Sequence, residues 1–200
     1  SSINSSSSSV HDDTTMIATR DMISEAACYE VMLTRMLRTI PEEQRISVVS
    51  MLDRGERTVL HHVVYSGNLA CIKLIIDLYR SAADTTTVGT SIGDAADCND
   101  EQLQQVVNRK DRQNGITVLH YAASSSNPDS IRFILNLLPE RMRLHAVGRR
   151  GRDRMTVLHY AASSGNHESV KAILTLLPEA QRLETLCAQD RSGMTVLHYV

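Results

Sequence analysis

Four histidines, His61, His120, His159 and His198, each close the same four-residue phrase, Thr-Val-Leu-His, which begins at Thr58, Thr117, Thr156 and Thr195. Imidazole is a common metal ligand and general base, and a hydroxyl near it is the raw material of a nucleophile–base pair. The spacing argues against both uses. One histidine falls in each copy of a recurring unit, and the last two intervals are 39 residues each. Stacked units would place the rings about 10 Å apart, too far for one metal ion to gather two. No third group orients any Thr–His pair, so the threonines read as N-caps of helices. Cys28 with His11 is the one other pairing that suggests a thiol nucleophile, and it too lacks an orienting partner. No catalytic residue, metal site or cofactor is expected.

Arginine is the second feature with chemical potential. Residues 141–154 read RMRLHAVGRRGRDR, with Arg141, Arg143, Arg149, Arg150, Arg152 and Arg154 opposed only by Asp153. Guanidinium forks match carboxylate and phosphate groups. Two readings stand, a patch for an acidic surface and an ordinary solvated turn. Nucleic acid is disfavoured, because no aromatic residues interleave the arginines and the net charge is −2. Tyr121, Tyr160 and Tyr199 directly follow motif histidines; they either meet a partner or pack between neighbouring helices.

The elements that position these residues follow from periodicity. Self-similarity at a period of 20–50 residues signals a stacked repeat architecture. Thr156–Gly165 reads TVLHYAASSG and Thr117–Ser126 reads TVLHYAASSS, each a short Ala-rich helix. A second helix follows, with one apolar face at Val170, Ile173, Leu174 and Leu177. The same face recurs at Ile131, Ile134, Leu135 and Leu138, at Ile72, Ile75, Ile76 and Tyr79, and at Leu33, Met36, Leu37 and Ile40. Gly165 suits a helix end, and Asn166 and Asn127-Pro128 suit helix starts. After the second helix come PEEQRI (41–46), PERMRL (139–144) and PEAQRL (178–183), each a short third helix opening on Pro-Glu.

The interval from Thr58 to Thr117 is longer, and the excess maps to a Thr-, Ala- and Gly-rich insertion at about 81–98 that replaces the proline. Residues 1–13 read as a flexible Ser-rich tail. The solenoid spans 14–200: an N-terminal cap at 14–52, repeats at about 53–110, 111–150 and 151–189, and a truncated repeat at 190–200. Both ends look cut from something longer. Cys28 falls at the turn between the cap's helices. Hydrophobic content of 42% supports a core, and aromatic content of 4% makes it a thin aliphatic one. No apolar run reaches the roughly 18 residues of a membrane helix, and no secretory leader is visible. The four scattered cysteines read as reduced thiols, which suits the cytoplasm.

The phrase and its surroundings resemble the ankyrin repeat, D-x-x-G-x-T-P-L-H-x-A-A-x-x-G. Asp190, Gly193, Thr195, Leu197 and His198 match its opening, and Thr156, Leu158, His159, Ala161, Ala162 and Gly165 match its first helix. The resemblance covers about residues 28–200. Val118, Val157 and Val196 stand where the family has Pro, Glu56 and Arg154 where it has the turn Gly, Gly151 at its Asp, and Ser126 at its helix-ending Gly. The 39-residue period is similar to that of ankyrin arrays in effectors of intracellular bacteria.

That resemblance implies an all-α solenoid and a structural role for the motif histidines, bonded near the threonine at the helix start. It also implies a protein-binding module, monomeric and non-catalytic, that uses finger loops and a concave face. Its partner-facing positions carry over to Gln113, Asn114, Ile116, Ser124 and Ser125, and to Arg152, Asp153, Met155, Ser163 and Ser164. Arg149, Arg150, Arg154, Tyr121 and Tyr160 adjoin them. The expected partner is another protein, with an acidic surface, in a host cytosol if the chain is a translocated effector. The alternative is the substrate-recruiting arm of a larger enzyme.

Overall fold

The computed structural model describes residues 28–84, 103–125 and 127–200. In chain order its helices are α1 (28–38), α2 (Glu42–Val49), α3 (Val59–Tyr65), α4 (Leu69–Asp84), α5 (103–108) and α6 (Val118–Ser124). They continue with α7 (Pro128–Leu137), α8 (Glu140–Val147), α9 (Val157–Ser163), α10 (His167–Leu176), α11 (Glu179–Cys187) and a closing 3-10 turn, η1 (Val196–Tyr199). Among the described residues there is no β-strand, only two isolated bridges, Lys110 with Thr117 and Gln189 with Thr195. The fold is the expected all-α repeat solenoid. No helix among the described residues is long and apolar enough to cross a membrane.

Each unit has three helical parts. The first helices α3, α6 and α9 start at Thr58, Thr117 and Thr156, whose backbones are extended while the next residue is already helical. The second helices α4, α7 and α10 carry the apolar stripe. Asn127 caps α7 by accepting from the Asp129 amide at 2.9 Å, and Asn166 caps α10 through the Ser169 amide at 3.0 Å. Both asparagines also reach the preceding unit: Asn127 Nδ2 donates to Gly67 O at 2.8 Å and Asn166 Nδ2 to Ser125 O at 2.9 Å. The cap is thus also an interlayer tie. The turn glycines Gly67 and Gly165 have φ of 70° and 69°, the left-handed conformation that favours Gly.

Stacking buries one continuous core. Leu60, Leu119 and Leu158 of the first helices sit against Ile72, Ile75, Ile76, Ile131, Ile134, Leu135 and Ile173 of the second, all fully buried. Each such side chain contributes about 1.5–3 kcal/mol by leaving water. Cys71 belongs to this interior, and Cys28 and Cys187 are exposed free thiols. Cys28 is the first described residue of α1, where a turn was expected.

Two differences from the sequence expectation have physical causes. α4 runs on to Asp84, so the first four residues assigned to the insertion are helical, and the remainder of it lies outside the described residues. α5 occupies the third-helix position of the unit that lacks the proline. Its Leu103 and Val107, four residues apart, are buried and take the place that α2, α8 and α11 fill elsewhere. The Ser-rich tail, the start of the expected N-terminal cap (14–27) and Ser126 lie outside the described residues.

The Pro-Glu-x-x-Arg signature has a clear function. A helix end leaves carbonyls without intrahelical donors. Arg45 Nε donates to Leu37 O at 2.9 Å and Ile40 O at 3.1 Å, and Arg143 Nε to Leu135 O and Leu138 O at 3.1 Å each. Arg182 Nε repeats the contact with Leu177 O at 3.1 Å. The proline folds the chain back so that the arginine of the third helix caps the second. Arg143→Met should therefore leave two carbonyls short of a charged donor and lower stability by about 2 kcal/mol. Urea unfolding of wild type and variant checks this, and an unchanged midpoint would refute the capping role.

Candidate functional site

Between each third helix and the next threonine the chain makes a tight finger: 53–57, 111–116, 151–155 and 190–194. Three fingers open on an aspartate that organises them. Asp53 Oδ1 accepts the Gly55 and Arg57 amides at 2.7 and 3.0 Å. Asp111 Oδ1 accepts those of Asn114 and Ile116 at 3.1 and 2.9 Å, and Asp190 Oδ1 those of Ser192 and Met194 at 2.8 and 2.9 Å. The Arg57 amide, followed by other donors, holds the Asp53 carboxyl well below the usual range, and the Tyr199 hydroxyl does most of the same for Asp190. Glu56 and Arg154, which replace the turn glycine, keep its geometry with φ of 59° and 60°.

The fingers are tied side to side. The Arg112 amide donates to Gly55 O at 2.7 Å, that of Arg152 to Asn114 O at 2.7 Å, and that of Arg191 to Asp153 O at 2.8 Å. They form one connected edge along the solenoid.

The motif histidines hold this edge to the helices. His61, His120 and His159 are fully buried. The Nδ1 of each accepts its threonine's backbone N–H at 3.1, 3.1 and 3.2 Å. Nδ1 is then an acceptor, so Nε2 carries the proton and donates to the carbonyl of Arg109, Arg149 or Met194 at 3.2, 3.1 and 3.3 Å. Both ring nitrogens are consumed in structural bonds. Burial pushes all three pKa values down, that of His120 to about 4.

The tyrosines pack edge-on against the histidine of the preceding unit. Tyr121 meets His61 at 5.5 Å, Tyr160 meets His120 at 5.2 Å, and Tyr199 meets His159 at 5.7 Å. Tyr121 and Tyr199 donate to Asp111 Oδ2 at 2.9 Å and Asp190 Oδ2 at 2.6 Å. Tyr121 and Tyr160 are thereby half-buried against the core.

The arginines divide by role. Arg149 and Arg150 are half-buried: their Nη1 atoms donate to Asn108 O and Gln189 O at 3.3 Å each, and Arg149 Nε is buried without a partner among the described residues. Arg152 is exposed, with Nη2 on Arg112 O at 2.6 Å. The Arg154 side chain is exposed, and its guanidinium has no hydrogen-bond or ion-pair partner among the described residues. Arg150 and Arg154 also line a cleft of about 620 Å³ between α8 and α11, with His145, Glu184 and Cys187.

Of the neighbouring expected positions, Gln113, Asn114, Asp153, Ser163 and Ser164 are exposed, and Met155 and Ser124 are half-buried. Ile116 and Ser125 are buried, at 4% and 2% exposure, and present almost no surface to a partner. Sequence reasoning passed over Arg54, Arg112 and Arg191. They are exposed and occupy the finger position of Arg152, each directly after the finger's opening residue. That register was available as the signal. Tyr65, 61% exposed, also stands on the Ser124 and Ser163 face, edge-on to Tyr121 at 6.0 Å.

A family model described as Ankyrin repeats (3 copies) matches residues 24–137 and 92–181. No curated protein matches the chain.

The histidines make stability pH-dependent. Each is neutral in the fold and would titrate near 6.5 when unfolded. A depressed folded pKa contributes stability that is present above about pH 6.5 and is lost as pH falls through the folded value. At pH 4.5 the cost from His120 alone is on the order of 2 kcal/mol. Urea midpoints should fall between pH 7.5 and 4.5, above the range where the depressed Asp53 and Asp190 titrate. A flat midpoint across that window would rule out the neutral-histidine ties.

Proposed function

This chain belongs to the ankyrin-repeat family, and on that premise we propose that it docks a partner protein with an acidic surface on its third finger, Gly151–Met155. Ankyrin repeats generally serve protein–protein interaction, and the partner and its site are the finer reading. The observation that carries it is Arg154, exposed and unpaired beside exposed Arg152, with Asp153 the only acid in the same finger. The chain as a whole has a net charge of −2, so this positive stretch is local. It can steer an acidic surface to one edge of the solenoid.

The edge is also rigid. Backbone bonds connect adjacent fingers, and carbonyls hold the guanidinium groups of Arg149, Arg150 and Arg152. A surface already ordered loses less freedom when a partner binds. Gln113, Asn114, Met155, Ser163 and Ser164 flank the finger, and the half-buried Tyr121, Tyr160 and Ser124 extend the face. The serines keep the concave side shallow, which supports contact centred on the finger. The module acts without catalysis or cofactor, as a monomer. The 39-residue period with its Pro-Glu-x-x-Arg helix supports an effector working on host proteins in the cytosol.

A pull-down from eukaryotic lysate tests this, comparing wild type with Arg152→Glu/Arg154→Glu. Arg149 and Arg150 are left intact because they are half-buried, whereas Arg152 and Arg154 are exposed. A specific protein should be retained by wild type and lost by the variant, with thermal melts within a few degrees of each other. Retention by both would move the site off the finger. Capture by neither would refute docking.

A further inference from the structure

Three fingers supply their own carboxylate, and the third does not. Where Asp53, Asp111 and Asp190 stand, the third finger has Gly151. In each sister finger the carboxylate binds three donors at matching register positions, and Asp53 also takes Arg57 Nε at 2.8 Å. One oxygen takes two backbone amides of the turn. The other takes a side chain from the following helix: His62 Nε2 at 3.0 Å, Tyr121 OH at 2.9 Å or Tyr199 OH at 2.6 Å.

The third finger keeps the donors. By register they are the amides of Asp153 and Met155 and the hydroxyl of Tyr160, whose ring sits on His120 as Tyr121 sits on His61. The turn keeps its shape. The Gly151 amide donates to Met155 O at 3.0 Å and that of Arg154 to Gly151 O at 3.1 Å, matching Asp190 to Met194 O at 2.9 Å and Gly193 to Asp190 O at 3.3 Å. Yet none of the three donors has an acceptor among the described residues.

The chain cannot fill the gap from residue 151. A Cβ there would lie 2.8 Å from Ile116 Cγ2 and 3.1 Å from Asn114 O, so the preceding finger occupies the root of that side chain. The same Cβ position is 3.8 Å from Tyr160 OH, whose counterparts in the second and fourth fingers bond the aspartate. An acceptor must therefore come from outside. Arg150, Arg152 and Arg154 lie within three residues of Gly151 along the chain. Asp153 opposes them, and Asp111 is already bound by its own turn.

We propose that the third finger is a receptor for an external carboxylate. One oxygen is held by the Asp153 and Met155 amides and the other by Tyr160 OH, so that an Asp or Glu side chain of the docked protein takes the part the finger's own aspartate plays elsewhere. The source of the carboxylate rests on the docking reading above. A carboxylate fits better than a phosphate because the donors divide two and one, as they do over the carboxylates of the sister fingers.

Acetate is the probe, titrated into the ¹⁵N-labelled 200-residue chain at constant ionic strength, with inorganic phosphate as a second arm. The Asp153 and Met155 amide resonances should shift and saturate with acetate. The Asn114, Ile116, Ser192 and Met194 amides, already bonded to their own aspartates, should stay in place. Tyr160→Phe should weaken the acetate response about threefold or more, the loss of one hydrogen bond. Shifts that never saturate, that appear equally in all fingers, or that survive Tyr160→Phe unchanged would overturn the proposal. Tighter binding of phosphate than acetate at the same amides would overturn the choice of carboxylate. Acetate saturation without a captured partner would leave the receptor standing and the docking reading refuted. A partner lost with Arg152→Glu/Arg154→Glu, but no acetate response, would do the reverse.

Discussion

The whole array depends on a buried imidazole that must stay neutral. His61, His120 and His159 each accept with Nδ1 and donate with Nε2, and an imidazolium can only donate. One side of the ring satisfies an amide at the start of a first helix. The other side holds a carbonyl at or beside the next finger. Its edge or face receives the tyrosine of the next unit, and two of those tyrosines reach on to the aspartate that shapes their own finger. Helix start, layer spacing and finger geometry are set through one side chain per unit. This is why the phrase recurs with Thr and His fixed at three residues' separation.

Much of this was legible because repetition turns weak local signals into strong ones. A single Thr-Val-Leu-His is unremarkable; four in register, each followed by an apolar stripe, define a stacked helical array. What stayed hidden needed geometry. The arginine of Pro-Glu-x-x-Arg was visible as a letter, but its bond to carbonyls five and eight residues back appears only once the proline has turned the chain. α5 was missed because its unit lacks that proline. Leu103 and Val107 still held the helical spacing, a pattern too short to stand out beside a longer irregular stretch.

The site was legible as composition but not as roles. The arginine run drew notice as charge, yet three of its guanidinium groups are bonded to backbone carbonyls of neighbouring units, and such pairings over about 40 residues have no local signature. Ile116 reads as a surface position when the motif is carried over residue by residue. It is buried because Gly151 of the next finger has no side chain, and the Ile116 methyl fills that space. A substitution in one unit thus changes exposure in its neighbour, which a unit-by-unit reading cannot anticipate.

Gly151 is where this chain departs most from its own internal consistency. Natural sequences agree across local and global levels, and where one rule is broken in an otherwise regular array, function or strain is the usual reason. The missing aspartate has not reshaped the finger: its turn bonds match those of the fourth, and Arg154 adopts the φ of Glu56 in the first. The finger kept its shape without the carboxylate that shapes the other three, held by its ties to the fingers on either side. Neighbour support is what allows a stacked array to free one internal ligand. The unit that gave up its aspartate also carries the densest arginines, so the open donors lie in the most positive part of an otherwise slightly acidic chain.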